Sequence, residues 1–145
     1  MKINLTQNKN FKLFKIISKV AQENNQTVYI VGGYVRDLLM QRKAPTDIDF
    51  VTEQSGIELA KAVGKELGNL KVSVFKTYGT AMIKYKDLDL EFVGARKESY
   101  SEDSRKPAVE TGTLEDDQKR RDFTVNALAI SLNSENFGEL IVPFT

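Results

Sequence analysis

The sequence predicts an α/β (α+β) domain in which a mixed central β-sheet is flanked by helices. Three observations carry that prediction. The first half alternates strand and helix patterns, and three short strand candidates then follow one another. The composition, 41% hydrophobic and 28% charged over 145 residues, is that of a folded single domain rather than a disordered tail.

Leu13, Ile16, Ile17 and Val20 recur at helical spacing, which predicts an amphipathic helix from about Asn10 to Asn24 within an N-terminal segment, 1–25. Val28 to Val31 is a short β-branched and aromatic run ending at Gly32-Gly33, the signature of a buried strand. The good helix formers of "YVRDLLM" continue to about Gln41, where "RKAPT" breaks them. In "DIDFV", Ile48 and Phe50 alternate with Asp47 and Asp49, a strand period. Ser55 and Glu58 have capping-box spacing, and Ala60, Val63, Gly64 and Leu67 share one face of the helix they open. Lys71–Phe75, Thr80–Tyr85 and Leu88–Val93 read as strands, the last two joined by a hairpin turn. From Arg96 to about Gly112 no period survives, so that stretch reads as a long mobile loop. Thr113 and Asp116 can cap a short helix through Arg121, followed by "FTVNALAIS" and "GELIVPF". No repeat or second domain is visible, so 1–145 is expected to form one unit.

The sequence has no Cys and no His. Disulfides, thiolate nucleophiles, His general bases and Cys- or His-ligated zinc are thereby excluded. Carboxylate-bound magnesium is the simplest catalytic device left. A net charge of +1 rules out a broadly basic nucleic-acid binder and leaves only local patches. The N-terminus lacks a signal-peptide apolar core, and no apolar run has the length of a membrane span. These features lead to the expectation of a cytoplasmic enzyme domain with no membrane partner.

Four clusters could carry chemistry. Asp47 and Asp49, two apart on a strand, project from one face, where a cation between them would relieve their repulsion. Taken alone, D-x-D is more often the solvent face of an edge strand. Gly32-Gly33 opens a helix bearing Arg36; free amides and missing side chains there would admit a phosphate, with Arg36 reaching it bidentately. The alternative is a tight turn with Arg36 paired to Asp37. Asp89 and Glu91 share a face of another strand, and an acid there could complete a metal site if the two strands are neighbours. Arg121, Asp122 and Asn126, preceded by Arg120, suit phosphate and ribose binding, or else helix-end charge and an Asn cap.

In this order the motifs resemble a known family. "VGGYVRDLL…DIDFV" is similar to the signature of class II tRNA nucleotidyltransferases (CCA-adding enzymes) and bacterial poly(A) polymerases, within the DNA polymerase beta nucleotidyltransferase superfamily. "RRDFTVNALA" is similar to that family's second signature, and "YGTAMIKY" and "LEFVGAR" to the strands between. The resemblance runs from about Val28 to Phe144. It implies a nucleotidyltransferase-fold catalytic head that uses two Mg2+ ions to transfer CMP and AMP from CTP and ATP to the 3′ end of tRNA. It implies Asp47 and Asp49 as metal-binding aspartates and Glu91 as a third carboxylate. It further implies Gly32, Gly33 and Arg36 as triphosphate contacts, and Arg121, Asp122 and Asn126 as nucleotide-binding residues. The stretch from Arg96 to Gly112 would be a flexible loop used during addition.

Val142 stands where the family carries an acid before Pro-Phe. The family's neck, with its E-D-x-x-R base-selecting motif, and its tRNA-gripping body and tail would follow Thr145, so the sequence is expected to be a piece of a longer enzyme. "EDDQK" at 115–119 does not supply that motif. Poly(A) polymerase is the rival activity, and a non-catalytic nucleotide-binding module is the rival of another class.

Overall fold

The computed structural model describes residues 1–99, 108–121 and 127–143. Helix α1, Phe11–Glu23, turns Leu13, Phe14, Ile17 and Val20 inward, as the helical period requires. Strand β1, Tyr29–Val31, ends at the glycine pair, and helix α2, Gly33–Leu39, begins inside it. Strand β2 is Asp47–Thr52, and helix α3, Gly56–Glu66, starts where the Ser55 hydroxyl accepts from the Glu58 amide. Strand β3, Val72–Phe75, passes through a 3-10 turn at Lys76–Tyr78 into β4, Thr80–Tyr85, and β5, Leu88–Gly94. Each of these helices and strands falls within a residue or two of its sequence expectation; the 3-10 turn was not expected.

The loop expected from Arg96 to Gly112 is corrected in part. Arg96–Ser99 (β6) and Ala108–Thr111 (β7) pair antiparallel as a separate two-stranded ribbon. A ribbon outside the main sheet is held by its backbone ladder and need not present an alternating apolar face, so its sequence shows no period. Residues 100–107 of that stretch lie outside the described residues. Helix α4, Leu114–Arg120, opens with the expected box: the Thr113 hydroxyl accepts from the Asp116 amide, and the Asp116 carboxylate accepts from the Thr113 amide. Strands β8, Ala129–Ser131, and β9, Leu140–Ile141, close the described chain.

The main sheet has seven strands in the order β3-β4-β5-β2-β1-β8-β9. Only β2 and β5 run parallel; the other neighbours are antiparallel. The expected mixed sheet is present, and its two faces differ. One face carries Ile30, Ile48, Phe50, Leu90, Phe92 and Ile130 into the main core under α1, α2 and α3. There Phe50 stacks on Phe92 at 5.0 Å, and Phe14 meets both Phe50 and Tyr34 edge-on. Burying the two stacked rings contributes several kcal/mol by area. Among the described residues, the opposite face carries a small apolar cluster, Tyr29, Val31, Val51, Ala95, Leu114 and Ala129, under α4. Beyond that patch, this second face is where the acidic residues lie.

Candidate active site

Strand alternation decides where the acids point. Ile48 and Phe50 are fully buried on the helix-covered face, so Asp47 and Asp49 between them project from the other. Asp47 is exposed and Asp49 half-buried. Because β5 pairs parallel with β2, Asp89 stands opposite Asp47 and Glu91 opposite Asp49. The two strands are neighbours, and the second adds an acidic pair, Asp89 and Glu91, in the same two rows. Glu91 shares a hydrogen bond with Asp49.

The glycine turn closes over this pair. Gly32 follows β1 with φ 79° and ψ −148°, a backbone region essentially reserved for glycine. A Cβ built at Gly32 would lie 3.3 Å from Asp49 Oδ2. The acids and the turn therefore belong to one site, as the sequence reading required. Tyr34 locks the turn from beneath: it is 2% exposed, receives a hydrogen bond from Asn10 Nδ2 and donates one to Asn8 Oδ1, each 3.0 Å. The first amides of α2 have no acceptor within the helix, so they face the site as donors.

Arg36 makes the ion pair that was the alternative reading for it, while standing close to the glycine turn. Its Nε pairs with Asp37 Oδ1 at 3.1 Å, the local ion pair. Its Nη2 lies 3.2 Å from where a Gly33 Cβ would be, so the guanidinium folds back over the turn.

Arg121 caps the C-terminal end of α4, where its charge acts on Asp49. Its Nε binds Asp117 Oδ2 at 2.8 Å, and Asp117 is completely buried. Gln118, also buried, donates to the carbonyls of Ala127 (3.1 Å) and Ile141 (3.0 Å), tying α4 to the approach to β8 and to β9. Glu53, just past β2, accepts from the Leu114 amide at 2.9 Å and holds the start of the same helix. The sequence reading missed these three supports. The Asp117–Arg121 spacing of i,i+4 was a signal that could have found one of them. Asp122 and Asn126, the other residues expected to bind nucleotide, lie outside the described residues.

The electrostatics follow from this packing. Burial pushes the Asp49 carboxyl up from its ordinary value, Arg121 draws it back, Asp47 raises it again, and the Glu91 hydrogen bond lowers it. The net displacement is upward: Asp49 is an anion held where anions are disfavoured. A cation shared with Asp47 would compensate it. Among the described residues, no three acids form a ready-made metal cage. The acids present are the pair Asp47 and Asp49 with Glu91 beside them, and magnesium takes one or two carboxylates plus waters and substrate phosphates. The donor set is thus compatible with a metal completed by a bound triphosphate. Among the described residues, no helix is long and apolar enough to cross a membrane.

Residues 28–142 match the model of the poly A polymerase head domain. An A-adding tRNA nucleotidyltransferase of Aquifex aeolicus is 47% identical over 116 residues, covering 80% of this chain and 14% of that protein. A CCA-adding enzyme of Bacillus velezensis is 37% identical over 126 residues, covering 86% of this chain and 30% of that protein. Among solved structures, an apo tRNA-processing enzyme matches with TM-score 0.81 at 40% identity, over 97% of this chain and 34% of that one. A tRNA nucleotidyltransferase crystallised with a primer tRNA and an incoming ATP analogue matches with TM-score 0.75 at 41% identity, over 88% of this chain and 34% of that one. The chain thus spans about a third or less of the length of these relatives.

Proposed function

Since the chain belongs to the poly A polymerase head domain family, we propose that it is the catalytic head of a template-independent RNA nucleotidyltransferase that extends the 3′ end of tRNA from CTP and ATP. The observation that carries this reading is the closure of the Gly32 turn on Asp49, 3.3 Å from a notional Cβ to Oδ2, on the sheet face that also holds Asp47 and Glu91.

The reaction is attack of an RNA 3′-hydroxyl on the α-phosphate of a nucleoside triphosphate, with pyrophosphate leaving. Asp47 and Asp49 would hold two magnesium ions, with Glu91 beside them. When bound, the metal would make the attacking hydroxyl more acidic and neutralise charge on the leaving group. Gly32 and Gly33 let the triphosphate approach the backbone, and the amides of the first α2 turn hydrogen-bond its oxygens. Arg36, already folded over that turn, supplies a planar donor to the same phosphates. Arg121, whose charge acts on Asp49, would with Asp122 and Asn126 contact the sugar and phosphates. The chain's own work is positioning and electrostatics, which suits a site without a side-chain nucleophile.

The test is nucleotide addition by the complete protein in magnesium, on tRNA lacking its 3′ CCA. Asp47→Ala and Asp49→Ala should each abolish it; retained addition in either would remove the assignment. Product length separates the activities: three nucleotides for CCA addition, a long tract for polyadenylation. A-only addition is a second reading, because the relatives at 47% and 40% identity are A-adding enzymes. It predicts extension of tRNA already ending in CC, from ATP, and no use of CTP.

A further inference from the structure

We infer that the open half of the acidic sheet face, across β5, β4 and β3, is the track for the last nucleotides of the RNA, with Phe75 as a stacking platform and Lys71 and Lys84 as phosphate contacts. The inference deepens the function proposed above and rests on it.

The first argument is directional. In-line displacement places the attacking oxygen opposite the leaving pyrophosphate. The glycine turn that would receive the triphosphate follows β1, on one side of β2. The attacking RNA end must then enter from the other side, where the strands are β5, β4 and β3 in that order.

The second argument is what lies there. Register puts Asp49, Glu91, Met82 and Ser73 in one row across four strands. At about 4.8 Å per strand, Met82 is ~10 Å and Ser73 ~14 Å from Asp49. Val72 and Val74 pack on the main core, so Ser73 and Phe75 face the acidic side. A groove runs over this surface, lined by Lys71, Ser73, Phe75, Met82, Lys84 and, nearest the acids, Asp89. Phe75 is 46% exposed, an unusual state for its ring, and Tyr78, three residues on, is 64% exposed. Lys71 and Lys84 are exposed together four residues along the strands from Phe75, and Lys76 lies between the two aromatics in sequence. Aromatic rings interleaved with lysines on a groove are the chemistry that holds single-stranded nucleic acid: bases stack on the rings, and the amines meet the phosphates. The groove thus offers a ring at one end and two lysines at the other, spaced along the strands as bases and phosphates are along a single strand, and this charge complementarity favours RNA over a protein partner.

The experiment uses the complete protein with tRNA lacking its 3′ end. Phe75→Ala should raise the KM for tRNA by roughly 5- to 100-fold, Phe75→Tyr should restore it, and Lys84→Glu should raise it and flatten its salt dependence. The dissociation constant for ATP should hold in all three, and Lys61→Glu, on the helix-covered side, should behave as wild type. An unchanged KM for tRNA in both Phe75→Ala and Lys84→Glu overturns the track while leaving the acids' assignment intact. Equal losses for tRNA and ATP also overturn it. A wild-type protein that adds no nucleotide would instead overturn the proposed function, and this inference with it.

Discussion

Replacing Gly32 with Ala should damage stability and the site together, and the structure gives the size of each effect. With φ 79° and ψ −148°, Gly32 occupies backbone that an L-residue enters at a cost of about 1–3 kcal/mol. In a chain of this length each kcal/mol lowers the Tm by roughly 2–4 °C, so the variant should melt about 2–12 °C below wild type. The new Cβ would also sit 3.3 Å from Asp49 Oδ2, forcing the carboxylate aside by a few tenths of an ångström. Misplacement of a metal-binding group on that scale should lower nucleotide addition by ten-fold or more. Gly33→Ala is the matched control. Gly33 has no positive φ, begins a helix, and its Cβ would meet only the mobile end of Arg36 at 3.2 Å. Its Tm should hold or rise by the equivalent of less than about 1 kcal/mol. Differential scanning calorimetry and primer-extension rates on both variants decide the matter. Equal melting temperatures for the two, or a Gly32→Ala protein with wild-type rates, would refute the claim that the turn is a glycine-only wall of the site.

Asp49→Asn should raise the Tm in metal-free buffer at neutral pH while abolishing addition. The raised carboxyl means that the native state holds the proton more tightly than the unfolded chain, so ionisation destabilises the fold. The advantage of the variant should therefore grow as pH rises from about 4, be complete above the displaced value, and vanish in acid; a pH-independent difference in Tm would contradict this. Magnesium with ATP should reverse the order of stability by stabilising only the wild type. Gln118→Leu removes one buried and one part-buried hydrogen bond and leaves two carbonyls short of a donor, so urea denaturation should show a loss of about 2–3 kcal/mol. Thr113→Ala should cost about 1 kcal/mol by opening the cap of α4, and should weaken nucleotide binding through Arg121; intact binding would separate that helix from the site.

Much of the fold was legible locally. The 3.6 period at Leu13, Ile17 and Val20 and the alternation of Ile48 and Phe50 with Asp47 and Asp49 are properties of a few adjacent residues. They specify element type and inward face. The glycine pair likewise announced a turn, since its missing side chains are a local fact. The ribbon of β6 and β7 escaped notice because its pairing joins residues about a dozen apart, outside the main sheet, and a local period does not report such a partner. The role of Asp117 and Gln118 escaped notice because a polar residue does not reveal from sequence that it will be buried with a partner.

Sequence by itself determined that Asp47 and Asp49 would emerge together, because two-residue periodicity is built into any strand. Which strand lies beside them is a different kind of fact. Pairing of β2 with β5, some 40 residues away, brings Glu91 opposite Asp49, and docking of α4 brings Arg121 from more than 70 residues away. Those contacts are set by burial and backbone pairing over the whole sheet, which no local pattern encodes, and so only the tertiary structure could decide them.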